Sequence, residues 1–196
     1  MTIMMDIIGA AILVGMLILT IMNVNINLGN ENYRSICEFK TQTELIQLAR
    51  IVEFDLYKAG YYVPTSMKPL IRIADTSKIK FATNLFNVPG AVDSVMYDLG
   101  GPVVNSTNPK DRILVRYENT TKVYINYSVV RFRLYYYNSK DSLLTAPVTG
   151  SWLDSIKSVK VSLSLESPEP FDTTRTGGGY PYVSATYQKL IYPRNL

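Results

Sequence analysis

The start of the chain is a long apolar run with a single charge. Between Ile3 and Met22 only Asp6 is charged. At about 1.5 Å of rise per residue a helix of this length extends about 30 Å, enough to cross a lipid bilayer. A cleaved secretory signal is one alternative, but no Lys or Arg precedes the run and no small-residue cleavage site follows it. We therefore predict a retained hydrophobic helix over residues 1–28 that spans a membrane.

The apolar run leads into an amphipathic helix, whereas an ordinary membrane anchor would be followed by charges and a linker. Over residues 29–60 one apolar stripe recurs at helical spacing, and we expect it to pack on the chain's own globular domain. Its members are Leu45, Leu48, Ala49, Val52 and Leu56. A second, narrower line consists of Phe39, Ile46 and Tyr57. That line either contacts another molecule or widens the first stripe into one broad buried face.

Local signals place the end of this helix near Ala59. Gly60 occupies the position of a C-terminal cap, and Pro64 prevents the helix from continuing soon afterwards. The two helical halves together would measure about 85 Å, so part of the helix must protrude from a domain built by the remaining residues. Asn and Gly residues between positions 15 and 30 are weak helix formers, and we expect local melting or a kink there.

Residues 61–196 change to alternating apolar and polar positions, rich in β-branched and aromatic residues and separated by turn residues. The predicted strands are residues 77–83, 92–99, 112–118, 122–128, 129–137, 155–166 and 182–192. This pattern predicts a β-rich globular head domain with an antiparallel sheet. The fold class is therefore α+β: a long N-terminal α-helix with a protruding hydrophobic half and an amphipathic half that packs on the sheet.

Composition argues against several classes of function. The chain has 20 Lys and Arg against 16 Asp and Glu, a net charge of +4 without a basic run, so we expect no nucleic-acid partner. It contains no histidine and a single cysteine, Cys37, which removes catalytic triads, zinc sites and an intrachain disulfide. We therefore expect no catalytic residues, no metal and no cofactor.

One pair of helical acids is a weak candidate for chemistry. Glu53 and Asp55 would have to converge to act as a catalytic pair, but residues two apart on a helix point in different directions. We instead predict that they lie on a solvated face with Arg50 and Lys58 as neighbours.

Loops give further weak signals. The segment RTGGGY (175–180) has the composition of an anion-binding nest, but it precedes no helix and we expect a surface loop. Three acids near the proline-rich loop lack the spacing of a calcium loop: Glu166, Glu169 and Asp172. Three Asn-x-Ser/Thr sequons are candidate glycosylation sites if the host has the machinery: Asn105, Asn119 and Asn126.

The order of elements resembles a known family. An apolar N-terminal helix with an early carboxylate, followed by an amphipathic helix and a sheet domain, is similar to the type IV pilins and the pseudopilins of type II secretion. The stretch ARIVEFDLYKAGY (49–61) and the terminal YPRNL (192–196) resemble the larger minor pilins and pseudopilins in particular. The resemblance implies a pilin-like fold and a structural role.

The resemblance also gives Asp6 a role. In that family a glutamate with four residues ahead of it in the processed chain is thought to attract the N-terminal amine of a neighbouring subunit. Asp6 matches that position if Met1 is removed. The resemblance therefore implies that Asp6 sets the assembly register, because a carboxylate in a low dielectric requires a cation at the same depth.

The function implied is a structural subunit of an extracellular pilus-like filament, with a minor pseudopilin that primes or caps a type II secretion pseudopilus as the alternative. The expected partners are copies of the chain, the inner membrane before assembly and the assembly machinery. The residues expected to pack in the filament core are Ile7, Ile8, Ile12, Leu13, Val14, Leu17, Ile18 and Leu19. Phe39, Ile46 and Tyr57 are the expected contacts between subunits. An anchored binding domain that never assembles and an extracellular enzyme remain further alternatives.

Overall fold

The computed structural model describes residues 2–171 and 181–196. One α-helix, α1, spans Thr2–Tyr57 and has 56 residues, about 84 Å at the standard rise. It is unbroken between positions 15 and 30, so the local melting predicted there is wrong. Each Asn or Gly costs less than about 1 kcal/mol relative to Ala, whereas an interruption in mid-helix would forfeit several hydrogen bonds and a second nucleation step.

The end of α1 follows the sequence signals. The Lys58 N–H donates to the Phe54 carbonyl at 3.1 Å, and Gly60 then takes a positive φ of 75°. The Gly60 N–H turns away from the helix and donates to the Ala82 carbonyl at 2.8 Å. A Cβ at Gly60 would lie only 2.8 Å from Leu70 Cδ1. Glycine is therefore required both by the backbone conformation and by the space that surrounds it.

Within the described residues, eight strands form one antiparallel sheet. They are β1 (Ile71–Ala74), β2 (Lys78–Thr83), β3 (Asp93–Pro102), β4 (Arg112–Glu118), β5 (Thr121–Tyr137), β6 (Leu143–Leu144), β7 (Ser158–Glu166) and β8 (Ser184–Ile191). The sheet order is β1-β2-β3-β4-β5-β7-β8, and β6 pairs with the end of β5. Short 3-10 helices occupy Thr65–Met67 and Gly150–Ser155. The predicted α+β fold, with a long helix on an antiparallel sheet, is confirmed.

Individual strands differ from the sequence prediction in three places. The strands predicted at 122–128 and 129–137 are one 17-residue strand, β5, which pairs with β4 in its first part and with β7 in its second. The predicted strand at 155–166 begins only at Ser158, because Ser155 ends a 3-10 helix and the two residues after it are irregular. The short strands β1 and β6 were not predicted, since four and two residues carry too little alternation.

The core lies between α1 and the sheet, and α1 packs chiefly against β7 and β8. The predicted stripe is buried, with exposures from 0% at Leu48 to 6% at Leu45. It joins one cluster with sheet side chains that include Phe81, Tyr97 and Phe132. The prediction that this stripe covers the chain's own domain is confirmed. The N-terminal half of α1 takes no part in the core.

Candidate functional site

The N-terminal arm of α1, residues 3–36, is exposed apart from the half-buried Gly15. By length and composition this helix is able to cross a membrane. The side chains predicted for a filament core are exposed by 51% to 69%, and they surround the helix: Ile7, Ile8, Ile12, Leu13, Val14, Leu17, Ile18 and Leu19. A solvated monomer rarely exposes an apolar surface of this extent, so the arm requires an apolar environment supplied from outside the subunit.

Asp6 is exposed within this apolar arm. The nearest basic side chain along the helix is Arg34, which lies about 42 Å away at the standard rise and pairs with Glu38. No basic side chain of the helix can therefore reach the Asp6 carboxylate. A cationic partner for Asp6 in an apolar environment has to be a chain terminus or a group from another molecule.

The second apolar line of α1 is exposed, unlike the first stripe. Phe39 is 74% exposed, Ile46 52% and Tyr57 41%. The alternative of one broad buried face is therefore wrong, because the sheet covers only the first stripe. Ile51 and Phe54, which the sequence prediction did not include, are also exposed. At about 100° per residue Ile51 lies roughly 130° around the helix from this line, and Phe54 lies between the two. The line of Phe39, Ile46 and Tyr57 is therefore exposed for contacts with other molecules.

Asp55 is buried, which corrects the prediction of a solvated face. It is 2% exposed and accepts hydrogen bonds from Arg116 at 2.6 and 3.0 Å and from the Tyr97 hydroxyl at 2.6 Å. Arg116 also donates to Glu118. Burial raises the pKa of Tyr97 and the adjacent Asp55 charge raises it further. Burial alone would lower the pKa of Arg116, but the hydrogen bonds to Asp55 and Glu118 outweigh it and raise that pKa.

Glu53 contacts a different part of the sheet. Its carboxylate accepts hydrogen bonds from Lys189 at 2.5 Å and from the Tyr187 hydroxyl, both on β8. Burial and the Glu53 hydrogen bond raise the pKa of Tyr187. Asp55 is held by β3 and β4, so the two acids fasten one helix to opposite parts of the sheet. Their arrangement is that of structural anchors.

The three sequons differ in their surroundings. The Asn119 side chain accepts a hydrogen bond from the Ser94 N–H at 2.7 Å and donates to Asp93 at 2.9 Å. A glycan attached to Nδ2 would leave one N–H on that nitrogen and would have to fit beside Asp93 and Ser94. Asn105 and Asn126 are exposed and lie around a common cavity.

The loop acids do not converge. Glu166 accepts hydrogen bonds from Lys110 and Asn108, each at 3.0 Å, whereas Glu169 accepts one from Tyr33 at 3.1 Å. Asp172 and the segment 175–180 lie outside the described residues. Within residues 2–171 and 181–196 no group of three His, Cys, Asp or Glu side chains is placed to hold a metal ion.

Comparison with known proteins places this geometry in context. No protein-family model and no curated protein matches the sequence. Among solved structures the chain is similar to a type IV-like pilin from Thermus thermophilus, with a TM-score of 0.52 at 12% sequence identity. The match covers 79% of this chain and 95% of that protein. The chain has the type IV pilin-like fold. At this level of identity the likeness is one of fold.

In this pilin-like chain the residues predicted from sequence fall into separate regions. Asp6 and the apolar side chains lie on the projecting arm, and Phe39, Ile46 and Tyr57 continue along the helix beside the head. Sequence reasoning missed the network of Asp55, Arg116 and Tyr97. The only available signal was an acid at a core-facing position of the helix, and its partners are 42 and 61 residues away.

Proposed function

We propose that this pilin-like chain is a structural subunit of an extracellular pilus-like filament. Before assembly the arm lies in the inner membrane, and afterwards it packs among the arms of other copies in the filament core. The observation that carries this proposal is the arm itself, which presents apolar side chains around its whole circumference with no cover from the head domain. Similarity to the structure of a type IV-like pilin supports the same role.

The energetics favour a durable assembly. Burial of apolar surface stabilises by about 25 cal/mol per Å², so burial of about 1,000 Å² per subunit would contribute about 25 kcal/mol before ordering costs. Outside lipid, only similar arms offer a surface of the same length and character. A helical array of parallel arms is therefore the arrangement that would bury their apolar side chains after they leave the membrane.

Asp6 sets the axial register in this proposal. A carboxylate among packed apolar helices is strongly disfavoured unless a cation lies beside it, and no basic side chain of the same helix is within reach. The N-terminal amine of a neighbouring subunit lies at a similar depth when the arms are staggered. The Asp6 carboxylate and that amine would meet at only one axial offset between neighbouring arms.

The contacts between head regions are assigned to Phe39, Ile46 and Tyr57. These side chains lie on the face of α1 that the sheet leaves uncovered, along the side of the head. The arm and this face belong to the same helix. Packing of the arms would therefore bring this face close to a neighbouring subunit. Aromatic and aliphatic side chains of this kind commonly form the centres of interfaces.

Electron microscopy of the protein sheared from the surface of source cells tests the proposal. We expect thin, regular filaments with a helical core in which this chain is the dominant band on a gel. A trace amount of the chain in filaments made mainly of another protein would favour the minor pseudopilin that primes or caps a secretion pseudopilus. Protein that stays monomeric in detergent and forms no polymer on cells would contradict both functions.

A further inference from the structure

The sheet has a second face, turned away from α1, and strands β5, β7 and β8 present polar side chains on it. Phe132 and Leu134 of β5 lie in the core. Successive side chains of a strand point to opposite faces, so Arg131 and Arg133 point away from the helix. Both are exposed. We call the part of this face formed by β5, β7 and β8 the outer face.

The neighbouring strands contribute to the outer face in the same way. Leu163 of β7 lies in the core, so Ser162 points outward. Tyr187 of β8 donates a hydrogen bond to Glu53 of α1, so Gln188 points outward and is exposed. All three strands therefore alternate between the helix and the outer face.

Strand pairing arranges the outward side chains in three rows, each of which takes one residue from β5, one from β7 and one from β8. The rows are Arg131, Ser164 and Thr186, then Arg133, Ser162 and Gln188, then Tyr135, Lys160 and Leu190. Rows two residues apart are separated by about 7 Å, and neighbouring strands by about 5 Å. Three cations consequently lie close together on one small surface.

These cations are not neutralised within the subunit. The side chains of Arg131 and Arg133 form no ion pair or hydrogen bond with residues 2–171 or 181–196. Lys160 Nζ lies 5.9 Å from the centre of the Tyr135 ring and has no acidic partner in the same part of the chain. Glu166, the acid of β7 on this face, is at the end of the strand and is already paired with a lysine. Like charges repel one another, so an anionic ligand would be favoured here.

Neutral hydrogen-bonding groups form the floor between the two outer strands. Ser162 is 4% exposed, and its hydroxyl has no hydrogen-bond partner among the described residues. In that part of the chain the unpartnered side-chain atoms cut off from solvent are Asp111 Oδ1 and Ser158 Oγ, so a ligand is able to reach the Ser162 hydroxyl. Ser164 Oγ and Thr186 Oγ1 lie 3.1 Å apart in the next row. The outer face thus combines unpaired cations with accessible hydroxyls.

The position of the outer face argues against a lipid headgroup as its ligand. The arm continues α1, so a bilayer around the arm lies beyond one end of the helix. The outer face is directed sideways, on the far side of the sheet from that helix. Anionic lipids would therefore not meet it.

The side chains of the outer face also argue against a single-stranded nucleic acid. Such ligands stack their bases on accessible aromatic rings. Tyr135, the aromatic residue of the three rows, is half-buried and has Lys160 over its ring. A guanidinium instead offers a planar pair of donors that matches a carboxylate. A polymer of acidic sugars carries such carboxylates together with hydroxyls that match the serine floor.

We propose that the outer face binds an acidic polysaccharide. Its carboxylates pair with Arg131 and Arg133, and its hydroxyls hydrogen-bond the side chains of Ser162 and Gln188. The site lies within one subunit and on the side of the sheet opposite α1. It is therefore independent of whether the arm assembles into a filament.

The test uses the full chain in a detergent whose headgroup is uncharged and contains no sugar. Short fragments of polygalacturonate, alginate and hyaluronate are titrated separately by isothermal calorimetry, and the methyl esters of the same fragments serve as uncharged matches. We expect at least one acidic fragment to bind saturably. Its methyl ester should bind at least about tenfold more weakly, because the ester lacks the charge that pairs with arginine.

Three variants locate the binding site. Arg133→Gln should raise the Kd by about tenfold or more and should make binding less sensitive to salt, because it removes an exposed charge. Arg50→Gln makes the same change at an exposed position of α1 and should leave the Kd unchanged. Ser162→Ala removes a neutral group, so it should raise the Kd while the salt dependence stays that of the wild type.

Four results would overturn the proposal. The first is that none of the three acidic fragments saturates. The second is that the methyl esters bind as tightly as the acids. The third is that Arg133→Gln and Arg50→Gln have the same effect. The fourth is that oligothymidylate, duplex DNA or polyglutamate binds more tightly than every acidic fragment, which would assign the outer face to a nucleic acid or to an acidic protein.

Discussion

Arg116 of β4 and Asp55 of α1 form a bidentate ion pair, with nitrogen to oxygen distances of 2.6 and 3.0 Å, in a region where both side chains are largely buried. Tyr97 of β3 donates to the same carboxylate. The pair therefore fixes the helix to the centre of the sheet at one rotation and one height. Because the arm is the continuation of the same helix, the direction of the arm relative to the head depends on this contact.

Removal of one partner should be strongly destabilising. We expect Asp55→Ala to lower the free energy of unfolding by about 3–5 kcal/mol, because Arg116 remains buried without its counter-ion. Glu53→Ala is the matched control on the same helix. Its ion pair with Lys189 is partly exposed and should be worth about 1 kcal/mol or less. Urea unfolding in detergent, followed by the near-ultraviolet circular dichroism of the tyrosines, measures both. Equal losses would contradict the assignment of Asp55 as the main anchor.

Gly60 should tolerate no side chain. Gly60→Ala meets both an unfavourable φ and a close contact with Leu70 Cδ1. Gly90→Ala is the control, because Gly90 has a similar φ of 78° but nothing within 4 Å of an added Cβ. We expect about 1–2 kcal/mol of destabilisation at Gly90 from backbone strain, and more at Gly60. The same unfolding assay measures the difference. Similar losses at the two positions would mean that Leu70 moves aside without cost.

The register role of Asp6 predicts a selective defect in assembly. Asp6→Asn keeps the size of the side chain but removes its charge, so we expect the yield of sheared filaments to fall by about tenfold or more. Glu31→Gln makes the same chemical change at another exposed acid of the helix and should have little effect. Gel densitometry of the sheared fraction, with immunoblots of the membrane fraction, separates assembly from export. Normal filament yield in Asp6→Asn would refute the register role.

The exposed line on α1 predicts a second kind of assembly defect. Phe39→Glu places a charge at an expected contact between subunits, and we expect filaments to be lost while the free energy of unfolding changes by less than about 0.5 kcal/mol. Ser139→Glu adds the same side chain at an exposed turn of the head, outside α1, and should assemble normally. Electron microscopy and unfolding measured on the same preparations provide the two readouts. Filaments of normal appearance from Phe39→Glu would show that Phe39 does not lie in a contact between subunits.

The buried carboxyl of Asp111 predicts a dependence of stability on pH. Burial raises its pKa above the ordinary value of 3.8, so the folded chain binds this proton more tightly than the unfolded chain does. The contribution of Asp111 to stability therefore falls as the pH rises from 3.8 through the raised value. Asp111→Asn removes the charge, and at pH 7 the variant should gain about 1 kcal/mol over the wild type, the order of one unmade hydrogen bond.

At pH 3 that gain should disappear, because the wild-type carboxyl is then protonated in both states and resembles the amide. Asp154→Asn, at an exposed position, should show no such change between the two pH values. Unfolding curves at pH 3 and pH 7 for the three proteins give the comparison. A gain that is equal at both values would assign the effect to packing and not to charge.

Sequence periodicity was sufficient for the features that depend on local spacing. The stripe from Leu45 to Leu56 has to be covered to be stable, so its spacing alone predicts a helix that packs on a sheet. The helix end follows from Gly60 in the same way, since only a few residues tolerate a positive φ.

Features that depend on distant pairing were not predictable. Asp55 looks like a solvated acid until the sheet brings Arg116, 61 residues away, next to it. The cavity around which Asn105 and Asn126 lie depends on the registers of β3 and β5 with β4, and registers shift at bulges that alternation alone does not locate. A local pattern determines which elements form, whereas the partners of a buried charge are determined by the assembled sheet.

The helix α1 precedes every described strand in the sequence, yet it packs chiefly against β7 and β8, which come after the other six. In the proposed subunit the bilayer would shelter the arm while the ribosome is still producing the head, but the apolar stripe around Leu48 would remain uncovered. That stripe is fully covered only after Ile191 has been translated and β8 has paired with β7. A chain that stops before β8 would therefore leave this apolar stripe exposed. The order of elements thus makes burial of the helix depend on completion of the sheet.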